Sequence, residues 1–490
     1  MCAAALARDA AMPAVEYEGR WYGWGELRRV ADRVCNLLEQ SGIEPNAPVI
    51  FVPRNCPSAL ATLFALMSQG RTIRMVYAFQ SPAGIARNIE RLKSPMVIAA
   101  PQDFSPEVKE ALRAQGIAGI AVEDMDAHAV PGFERARPDF VADTPLEPQI
   151  EILTSGTTGP PKQFPISYAM IATYLAGTNL MVGGEKDYSQ EPPFALFMPL
   201  GNISGIYSTV PTMLKGLRVV LFERFSLEKW HDYVRRYQPV ASGVPPAAVQ
   251  MLLDANIPPE DISSIKTMGI GAAPLDPTVH RAFEERYNIP ILLSYGATEF
   301  GGPVTAMTAD LHAHWGKAKF GSVGRTIGGA QLRIIDPETE EVLRPGQEGI
   351  LEVISPRIGP GWIRTSDIAV IDEDGFLFHR GRADGAIMRG GFKILPETIE
   401  RALLLHPAVS AAGVVGVADK RLSQVPGAAI QLRPESETPS IAELESHLRQ
   451  HVLATHIPVH WRFVDALPKT LSFKVDRPAV KRLFDAEEDG

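Results

Sequence analysis

A run of small polar residues at 152–162 has the composition of a loop that holds phosphate groups. The apolar residues Ile152 and Leu153 predict the end of a buried strand, and Lys162 closes the run with a positive charge. Glycine lets backbone N–H groups approach phosphate oxygens closely, and hydroxyl groups add further donors. A Ser/Thr/Gly surface turn is the alternative, but the length of the run favours a phosphate loop. Its residues are Thr154, Ser155, Gly156, Thr157, Thr158, Gly159 and Lys162.

The spacing of this loop excludes the P-loop of ATPases and GTPases. A P-loop has four residues between its glycines, followed by Gly-Lys-Ser/Thr. Here two residues separate Gly156 from Gly159, and Gln163 follows the lysine. The sequence therefore does not contain a classical P-loop.

Further motifs follow the phosphate loop along the chain. They are Gly-Ala-Ala-Pro at 271–274, Tyr-Gly-Ala-Thr-Glu at 295–299, Thr-Ser-Asp at 365–367, Gly-Arg-Ala-Asp at 381–384, Arg-Gly-Gly at 389–391 with Pro-Glu-Thr-Ile-Glu at 396–400, and Pro-Lys-Thr-Leu-Ser-Phe-Lys at 468–474. In order and spacing, they resemble the signature motifs of the adenylate-forming superfamily, in its acyl-CoA synthetase branch. The resemblance extends from about residue 15 to the end of the sequence.

The resemblance implies an adenine site around Tyr295. This residue follows a predicted strand at 291–294, and α/β sheets place ligands at the carboxyl ends of their strands. An aromatic ring at that position can stack on adenine. The segment expected to line the adenine with backbone is Gly271, Ala272, Ala273 and Pro274.

The same resemblance assigns the ribose and phosphate contacts of ATP. Asp367 would accept both ribose hydroxyls, because a carboxylate has two acceptor oxygens. Arg382 would contact ribose and phosphate, Thr298 would bond a phosphate, and Glu299 would hold Mg²⁺ against the triphosphate. The family usually has glycine where Ser366 stands.

Lys474 resembles the C-terminal lysine that bridges the substrate carboxylate and the α-phosphate of ATP. Attack of a carboxylate on ATP brings two anions together, so a positioned cation lowers the barrier. The family usually has glycine where Phe473 stands, and Lys469 is an alternative cation nearby. The sequence Lys-Val-Asp-Arg at 474–477 favours Lys474, because it keeps the register of the motif.

The resemblance also implies a second half-reaction, in which a thiol attacks the acyl-AMP and expels AMP. A small C-terminal domain would rotate about Asp384 and bring in a thiol loop. The residues of this thiol loop would be Gly390, Gly391 and Phe392. We expect coenzyme A as the acceptor, with a separate carrier protein as the alternative. A non-enzymatic nucleotide sensor is disfavoured, because the charged residues of the motifs are all retained.

Small residues in the motifs indicate an acid larger than acetate: aromatic, medium-chain or polycyclic. Acetyl-CoA synthetases place a bulky tryptophan where Gly296 stands. At 198–205 the chain lacks the aromatic-His pair of many acyl-CoA synthetases, and Asn202 is either part of a polar pocket or a loop-capping residue. The residues predicted to line the acyl pocket are Asn202, Gly243, Gly296 and Ala297.

Alternating strand and helix patterns predict the α/β layers that position these motifs. Helices are predicted at 24–42, 58–70 and 227–237, with short apolar strands between such segments. From about residue 330, apolar and polar residues alternate, which predicts an antiparallel β-rich subdomain. We predict an α/β fold with a large N-terminal domain at 1–383, including the β-rich subdomain at about 330–383, and a small mobile α+β domain at 384–490.

Composition bounds the remaining function classes. The 490 residues are 45% hydrophobic and 21% charged, with a net charge of −9. A negative net charge does not indicate a nucleic-acid-binding surface. The three cysteines lack metal-ligand spacing. No signal peptide is evident, and the uncharged stretch at 194–214 is predicted to be buried strand and loop, because prolines and glycines interrupt it. We expect a cytoplasmic protein without a membrane span; its oligomeric state is left open.

Overall fold

The computed structural model describes residues 1–154, 162–176, 191–271, 274–389, 392–419, 422–434, 436–470 and 474–485. The helices are α1 Cys2–Leu6, α2 Trp24–Gln40, α3 Pro57–Ser68, α4 Pro82–Leu92, α5 Pro106–Gln115, α6 Tyr168–Met170, α7 Ile203–Leu214, α8 Leu227–Tyr237, α9 Pro246–Asp254, α10 Pro277–Tyr287, α11 Ala309–Trp315, α12 Pro396–Leu404, α13 Ile441–Leu448 and α14 Arg477–Asp485. The strands are β1 Pro13–Tyr17, β2 Arg20–Gly23, β3 Val49–Val52, β4 Ile73–Met75, β5 Met96–Ala99, β6 Ala118–Glu123, β7 Asp126–Ala129, β8 Gln149–Thr154, β9 Lys162–Ser167, β10 Phe194–Leu196, β11 Val219–Leu221, β12 Ala241–Gly243, β13 Thr267–Ile270, β14 Ile291–Ala297, β15 Gly302–Ala306, β16 Arg325–Thr326, β17 Gln331–Ile335, β18 Glu348–Ile354, β19 Ile363–Ile371, β20 Leu377–Arg382, β21 Ile387–Arg389, β22 Phe392–Ile394, β23 Val409–Asp419, β24 Ser423–Leu432 and β25 His460–Phe463.

The chain divides into two compact units, and the first comprises Met1–Ser242, Glu260–Ile265 and Ala297–Gly302. One of its sheets has the order β7-β6-β5-β3-β4-β8-β9. The inner pairings of this sheet are parallel, while β7 and β9 join its edges antiparallel. A second sheet has the order β10-β11-β1-β2. Parallel strands alternating with helices confirm the predicted α/β class.

Helix α2 shows how the sequence pattern produces packing in this unit. Its apolar residues recur every three or four positions and are buried. At its start, the Glu26 carboxylate accepts the backbone N–H of Gly23 at 2.9 Å, which satisfies a donor that the helix itself leaves unpaired. The buried residues of this face are Leu27, Val30, Ala31, Val34, Leu37 and Leu38.

The prediction of strand and loop throughout 194–214 is wrong for its second half, where α7 forms. Pro211 lies inside this helix, and Gly205 lies in its first turn. A Cβ atom on Gly205 would come within 2.0 Å of the Pro199 carbonyl oxygen, so glycine is needed for the close approach of the preceding loop. The Ser208 hydroxyl donates to the Ser204 carbonyl at 2.7 Å, which satisfies an acceptor in this turn. Glycine here serves close packing, and proline is tolerated because tertiary contacts stabilise the helix.

The second unit comprises Gly243–Pro259, Lys266–Gly296 and Pro303–Gly490. Strands β12 to β16 are neighbours in sequence order, and β13 and β14 run parallel. Strands β17 to β20 form the predicted antiparallel subdomain, again in sequence order. A further sheet has the order β22-β21-β24-β23, and β25 pairs with β24.

Helices α12 and α13 accompany this last sheet, and together they bury an apolar core that includes Ile399, Leu403 and Leu444. Helix α13 begins with a capping box, in which the Ser440 hydroxyl accepts the backbone N–H of Glu443 and the Glu443 carboxylate accepts the backbone N–H of Ser440. Within the part of the chain that the structure describes, no helix is both long enough and apolar enough to cross a membrane.

Candidate active site

The phosphate loop is flanked by two paired strands of the first unit. Strand β8 ends at Thr154, β9 begins at Lys162, and these two residues are opposite each other in the antiparallel register. The strand predicted before the loop is therefore present, and the two residues at the ends of the loop are paired. The other residues predicted for this loop lie outside the described residues: Ser155, Gly156, Thr157, Thr158 and Gly159.

A buried ion pair fixes the strand that leads into this loop. Arg74 on β4 donates to Glu151 on β8 at 2.9 Å, and their side chains are 3% and 6% exposed. The Gln163 amide donates to the same carboxylate oxygen at 2.7 Å. A buried ion pair needs such further bonds, because both charges have lost their hydration. This pair was not predicted, because its signal in the sequence is limited to one charged residue within each of two short apolar strands.

Tyr295 and Gly271 lie at the same edge of the parallel strands in the second unit. The pairing of β13 with β14 ends at Ile270 and Leu293, so both residues follow the paired segment. A Cβ atom on Gly271 would come within 2.6 Å of the Ser294 Oγ, which explains why glycine fits there. Pro274 is exposed, whereas Ala272 and Ala273 lie outside the described residues. This is the strand edge at which the sequence predicts a ligand.

The structure brings Tyr295 together with Asp367, 72 residues away, and with His379. The Tyr295 hydroxyl donates to Oδ2 of Asp367. His379 Nε2 lies 3.1 Å from the other carboxylate oxygen, Oδ1. The rings of Tyr295 and His379 are stacked, with centroids 5.8 Å apart and planes 29° apart. The sequence predicted the first two residues and missed His379, whose only signal was its place in an alternating strand.

Asp367 is the electrostatic centre of this group. Burial, the largest influence, raises its pKa, but the bonds from His379 and Tyr295 and the charge of Arg382 lower it, and the net pKa lies below the ordinary value. The carboxylate is therefore ionised at neutral pH. Because an ionised carboxylate only accepts hydrogen bonds, the nitrogen that faces it, His379 Nε2, carries the proton. Arg382 is exposed and lies opposite Asp367 in the register of β19 and β20.

Thr298 and Glu299 lie in a 3₁₀ turn after β14, at Thr298–Phe300. Phe300 is buried and anchors the turn, whereas Glu299 is exposed. No cluster of three or more His, Cys, Asp or Glu residues suited to a metal ion occurs among the described residues. Mg²⁺ that is held by one carboxylate together with substrate phosphates needs no such cluster. An exposed carboxylate such as Glu299 can bind Mg²⁺ in this way, and its role as the magnesium ligand stays a prediction.

Lys474 is exposed and belongs to a narrow hairpin near the end of the chain. Lys469 and Val475 form an isolated antiparallel bridge, and the backbone N–H of Thr470 donates to the Lys474 carbonyl at 2.7 Å. The Lys474 N–H in turn donates to the Thr470 hydroxyl at 3.2 Å. These bonds hold the backbone of the predicted catalytic lysine and leave its side chain on the surface.

An ion-pair network anchors the chain just after this hairpin. Arg477 donates to Glu400 at 2.8 Å and to Glu397 at 2.9 Å, both on α12. Burial raises the pKa of Glu400, and the charge of Arg477 opposes that effect. Gly381 also lies close to this carboxylate. A Cβ atom on Gly381, whose φ is +151°, would come within 2.7 Å of Glu397 Oε2. The network therefore ties the chain just after the Lys474 hairpin to α12.

The predicted thiol loop connects two short paired strands. Arg389 on β21 lies opposite Phe392 on β22, so the two ends of the loop are adjacent. The Arg389 guanidinium also donates to the Thr455 carbonyl. Gly390 and Gly391 lie outside the described residues. Asp384, the predicted hinge, lies in the 3₁₀ turn Ala383–Gly385.

The residues predicted for the acyl pocket occupy loop and strand positions. Asn202 is the residue before α7, but its side chain makes no capping bond, so the capping alternative is not the observed one. A Cβ atom on Gly243 would lie 3.2 Å from the Gly269 carbonyl oxygen. Gly296 and Ala297 end β14, directly after Tyr295.

Comparisons with known sequences identify the family. The sequence profile described as AMP-binding enzyme matches residues 2–363, and the profile of the AMP-binding enzyme C-terminal domain matches residues 398–474. The chain belongs to the AMP-binding enzyme family. The two matches include Tyr295 and Lys474, while Asp367 and His379 lie between them.

Curated relatives of this AMP-binding enzyme include ligases with different acceptors. The 4-coumarate–CoA ligase 3 of Oryza sativa subsp. japonica is 27% identical over 511 residues, covering 98% of this chain and 91% of that protein. The fatty acid–[acyl-carrier-protein] ligase ScoC of Streptomyces coeruleorubidus is 24% identical, covering 96% and 93%. Among solved structures, o-succinylbenzoate CoA synthetase of Bacillus subtilis, in complex with its acyl-adenylate intermediate, has a TM-score of 0.78 at 22% identity, covering 98% of this chain and 97% of that chain. At that identity, the structural likeness concerns the fold.

Proposed function

We propose that this AMP-binding enzyme uses ATP to activate a carboxylic acid larger than acetate and transfers the acyl group to coenzyme A. The observation that carries the proposal is the ionised Asp367 carboxylate, held by Tyr295 and His379 at the strand edge. A carboxylate so held suits the two hydroxyls of a ribose, and an adjacent aromatic ring can stack on adenine. The family match supports both assignments.

In the first half-reaction, an oxygen of the acid bonds to the α-phosphorus of ATP, and the bond to the β-phosphate breaks. Acyl-AMP forms, and pyrophosphate leaves with the electron pair of that bond. Lys474 would stabilise the negative charge that accumulates on the acid and α-phosphate oxygens, while Arg382 would hold ribose and phosphate. Thr298 and the phosphate loop would hold the remaining phosphates. Mg²⁺ bound at Glu299 would neutralise part of the triphosphate charge.

In the second half-reaction, the sulfur of coenzyme A bonds to the acyl carbon, and the bond to the AMP oxygen breaks. The thiol proton passes to solvent, and AMP leaves. We assign the passage of the thiol to the loop between β21 and β22, after a rotation of the 384–490 segment about Asp384. A carrier protein is the alternative acceptor, and the name of the Streptomyces relative supports it.

For the acid, we favour an aromatic substrate. Gly296 and Ala297, which directly follow Tyr295, are small residues, and the name of the rice relative includes an aromatic acid. The roles of Asn202 and Gly243 in binding the acid stay predictions. Both half-reactions use substrates of the cell interior, so we also propose a cytoplasmic location.

The test is acid-dependent exchange of labelled pyrophosphate into ATP, in the wild type and in two lysine variants. We expect Lys474→Ala to lower exchange by about two orders of magnitude or more, because removing a transition-state charge partner costs several kcal/mol. Lys469→Ala is the matched control from the same hairpin and should retain exchange. Loss in Lys469→Ala alone would reverse the assignment of the two lysines, and no exchange by the wild type with any acid would refute adenylation.

A screen of AMP release against acids of graded size, with and without coenzyme A, identifies the acceptor. Sustained AMP release that requires coenzyme A supports the ligase. Acyl-AMP that accumulates with coenzyme A present, and is consumed only by a carrier protein, supports the alternative.

A further inference from the structure

His379 lies beside Asp367 because of an irregularity in the antiparallel pairing of β19 and β20. Asp367 is opposite Arg382, but Ala369 is opposite His379, so the register shifts between Ile368 and Ala369. Asp367 and Ala369 lie on the same face of β19, which makes His379 the diagonal neighbour of Asp367.

The two bonds to Asp367 arrive from different strands and on different oxygens. Tyr295 comes from β14 and donates to Oδ2, while His379 comes from β20 and faces Oδ1 at 3.1 Å. The terminal torsion of an aspartate is broad, so one bond alone leaves the plane of the carboxylate free to turn. Two donors on opposite oxygens fix that plane. They use two of about four acceptor positions of a carboxylate, so each oxygen can accept one bond more.

We propose that His379 is a positioning residue, which orients the Asp367 carboxylate so that its remaining acceptor positions meet the 2′- and 3′-hydroxyls of the nucleotide. This inference rests on the proposed function, in which Asp367 binds the ribose. His379 also stacks on Tyr295, so the same side chain steadies both the ribose acceptor and the ring assigned to adenine. A role through Asp367 predicts that His379 contributes to the preference for ATP over 2′-deoxyATP.

The experiment measures kcat/KM for ATP and for 2′-deoxyATP in AMP formation, at saturating acid, in His379→Leu and His379→Gln. We expect His379→Leu to lower kcat/KM for ATP roughly ten-fold, since a hydrogen bond to a charged group is lost. The value for 2′-deoxyATP should fall much less, so the preference for ATP shrinks. His379→Gln can still donate to the carboxylate and should keep most of the preference.

His280→Gln is the matched control from the same unit. His280 also stacks on an aromatic ring, Phe320, and faces a carboxylate, Glu284 at 3.2 Å. We expect this variant to keep the preference for ATP. An equal loss in His379→Leu and His280→Gln would show a general structural effect and overturn the proposal.

Asp367→Ala separates failure of this inference from failure of the proposed function. If Asp367→Ala loses the preference for ATP and His379→Leu keeps it, Asp367 binds ribose without help from His379, and the inference is wrong. If Asp367→Ala keeps the preference, the ribose assignment itself is wrong. The inference is supported if Asp367→Ala and His379→Leu both lose the preference for ATP while His379→Gln and His280→Gln both keep it.

Discussion

The second unit contains two groups of similar composition, each with a histidine stacked on an aromatic ring and facing a carboxylate. The site cluster is Tyr295, Asp367 and His379, with ring centroids 5.8 Å apart and a nitrogen–oxygen distance of 3.1 Å. The brace cluster is His280, Glu284, His312 and Phe320, with the corresponding distances 4.4 Å and 3.2 Å for His280. Residue types and distances alone therefore do not distinguish a binding group from a structural one.

The groups differ in what their carboxylates hold. Glu284 Oε1 accepts the backbone N–H of Ile291 at 2.7 Å and faces His312 Nε2 at 3.0 Å, so it connects α10 to the start of β14 and to α11. Asp367 accepts from the side chains of Tyr295 and His379, one on each oxygen. A carboxylate that accepts a backbone N–H joins elements of the fold, as Glu284 does, whereas the bonds to Asp367 come from the side chains of two residues. We therefore expect a structural role for Glu284 and a binding role for Asp367.

The largest expected effect is on catalysis, in the matched pair Asp367→Ala and Glu284→Ala. We expect Asp367→Ala to lower kcat/KM for ATP by about two orders of magnitude, because two ribose hydroxyls lose a charged acceptor. Folded Glu284→Ala should stay within about two-fold of the wild type. Steady-state AMP formation measures both variants, and a similar loss in the two would remove the functional distinction between the clusters.

The second effect is on stability, where we expect Glu284→Ala to be more damaging than Asp367→Ala. Glu284→Ala leaves the Ile291 N–H and the His312 ring without their acceptor, so we expect a loss of about 2–3 kcal/mol in the free energy of unfolding. Asp367→Ala should cost less than about 1 kcal/mol, because its partners are side chains that can turn towards water. Urea denaturation at pH 7 measures both values. Equal losses would mean that Asp367 is as structural as Glu284.

The smallest effect is on the pH dependence of stability. Burial raises the pKa of Glu284, but the adjacent His280 ring and the hydrogen bond from the Ile291 N–H bring the net value below the ordinary one; the net pKa of Asp367 is lowered likewise. A lowered pKa in the folded state gives stability that is present above the unfolded pKa, about 4, and is lost as pH falls through the folded value. The difference in unfolding free energy between wild type and either alanine variant should therefore shrink between about pH 5 and pH 3. A difference independent of pH would contradict the ionised carboxylates.

Features encoded locally in the sequence were predictable. The helical spacing at 227–237 gave α8 with the same bounds, and the alternating pattern after residue 330 gave the antiparallel strands β17 to β20. The prediction at 194–214 was wrong for α7, because local preference counts Gly205 and Pro211 against a helix. The unfavourable effect of these two residues on the helix is offset by tertiary packing, which a local sequence pattern does not reveal.

Features that depend on residues distant in sequence were less predictable. Tyr295 and Asp367 were found through motifs, but nothing in either motif indicates that their side chains bond across 72 residues. His379 is a single histidine in a strand, and its role depends on a register shift that is visible only in the folded sheet. The Arg74–Glu151 pair was missed for the same reason, since its partners lie on strands that become neighbours only on folding.

The bond between Arg477 and Glu400 also bears on the order in which the protein is made. Glu400 lies on α12, is buried, and is neutralised by a residue 77 positions further along the chain. A buried carboxylate without its cation is strongly destabilising. Until Arg477 has been added, packing of α12 into its final place would leave Glu400 buried without its cation. We therefore expect the second unit to complete its folding only after Arg477 has emerged, whereas the first unit, which is almost entirely N-terminal, can fold earlier during synthesis.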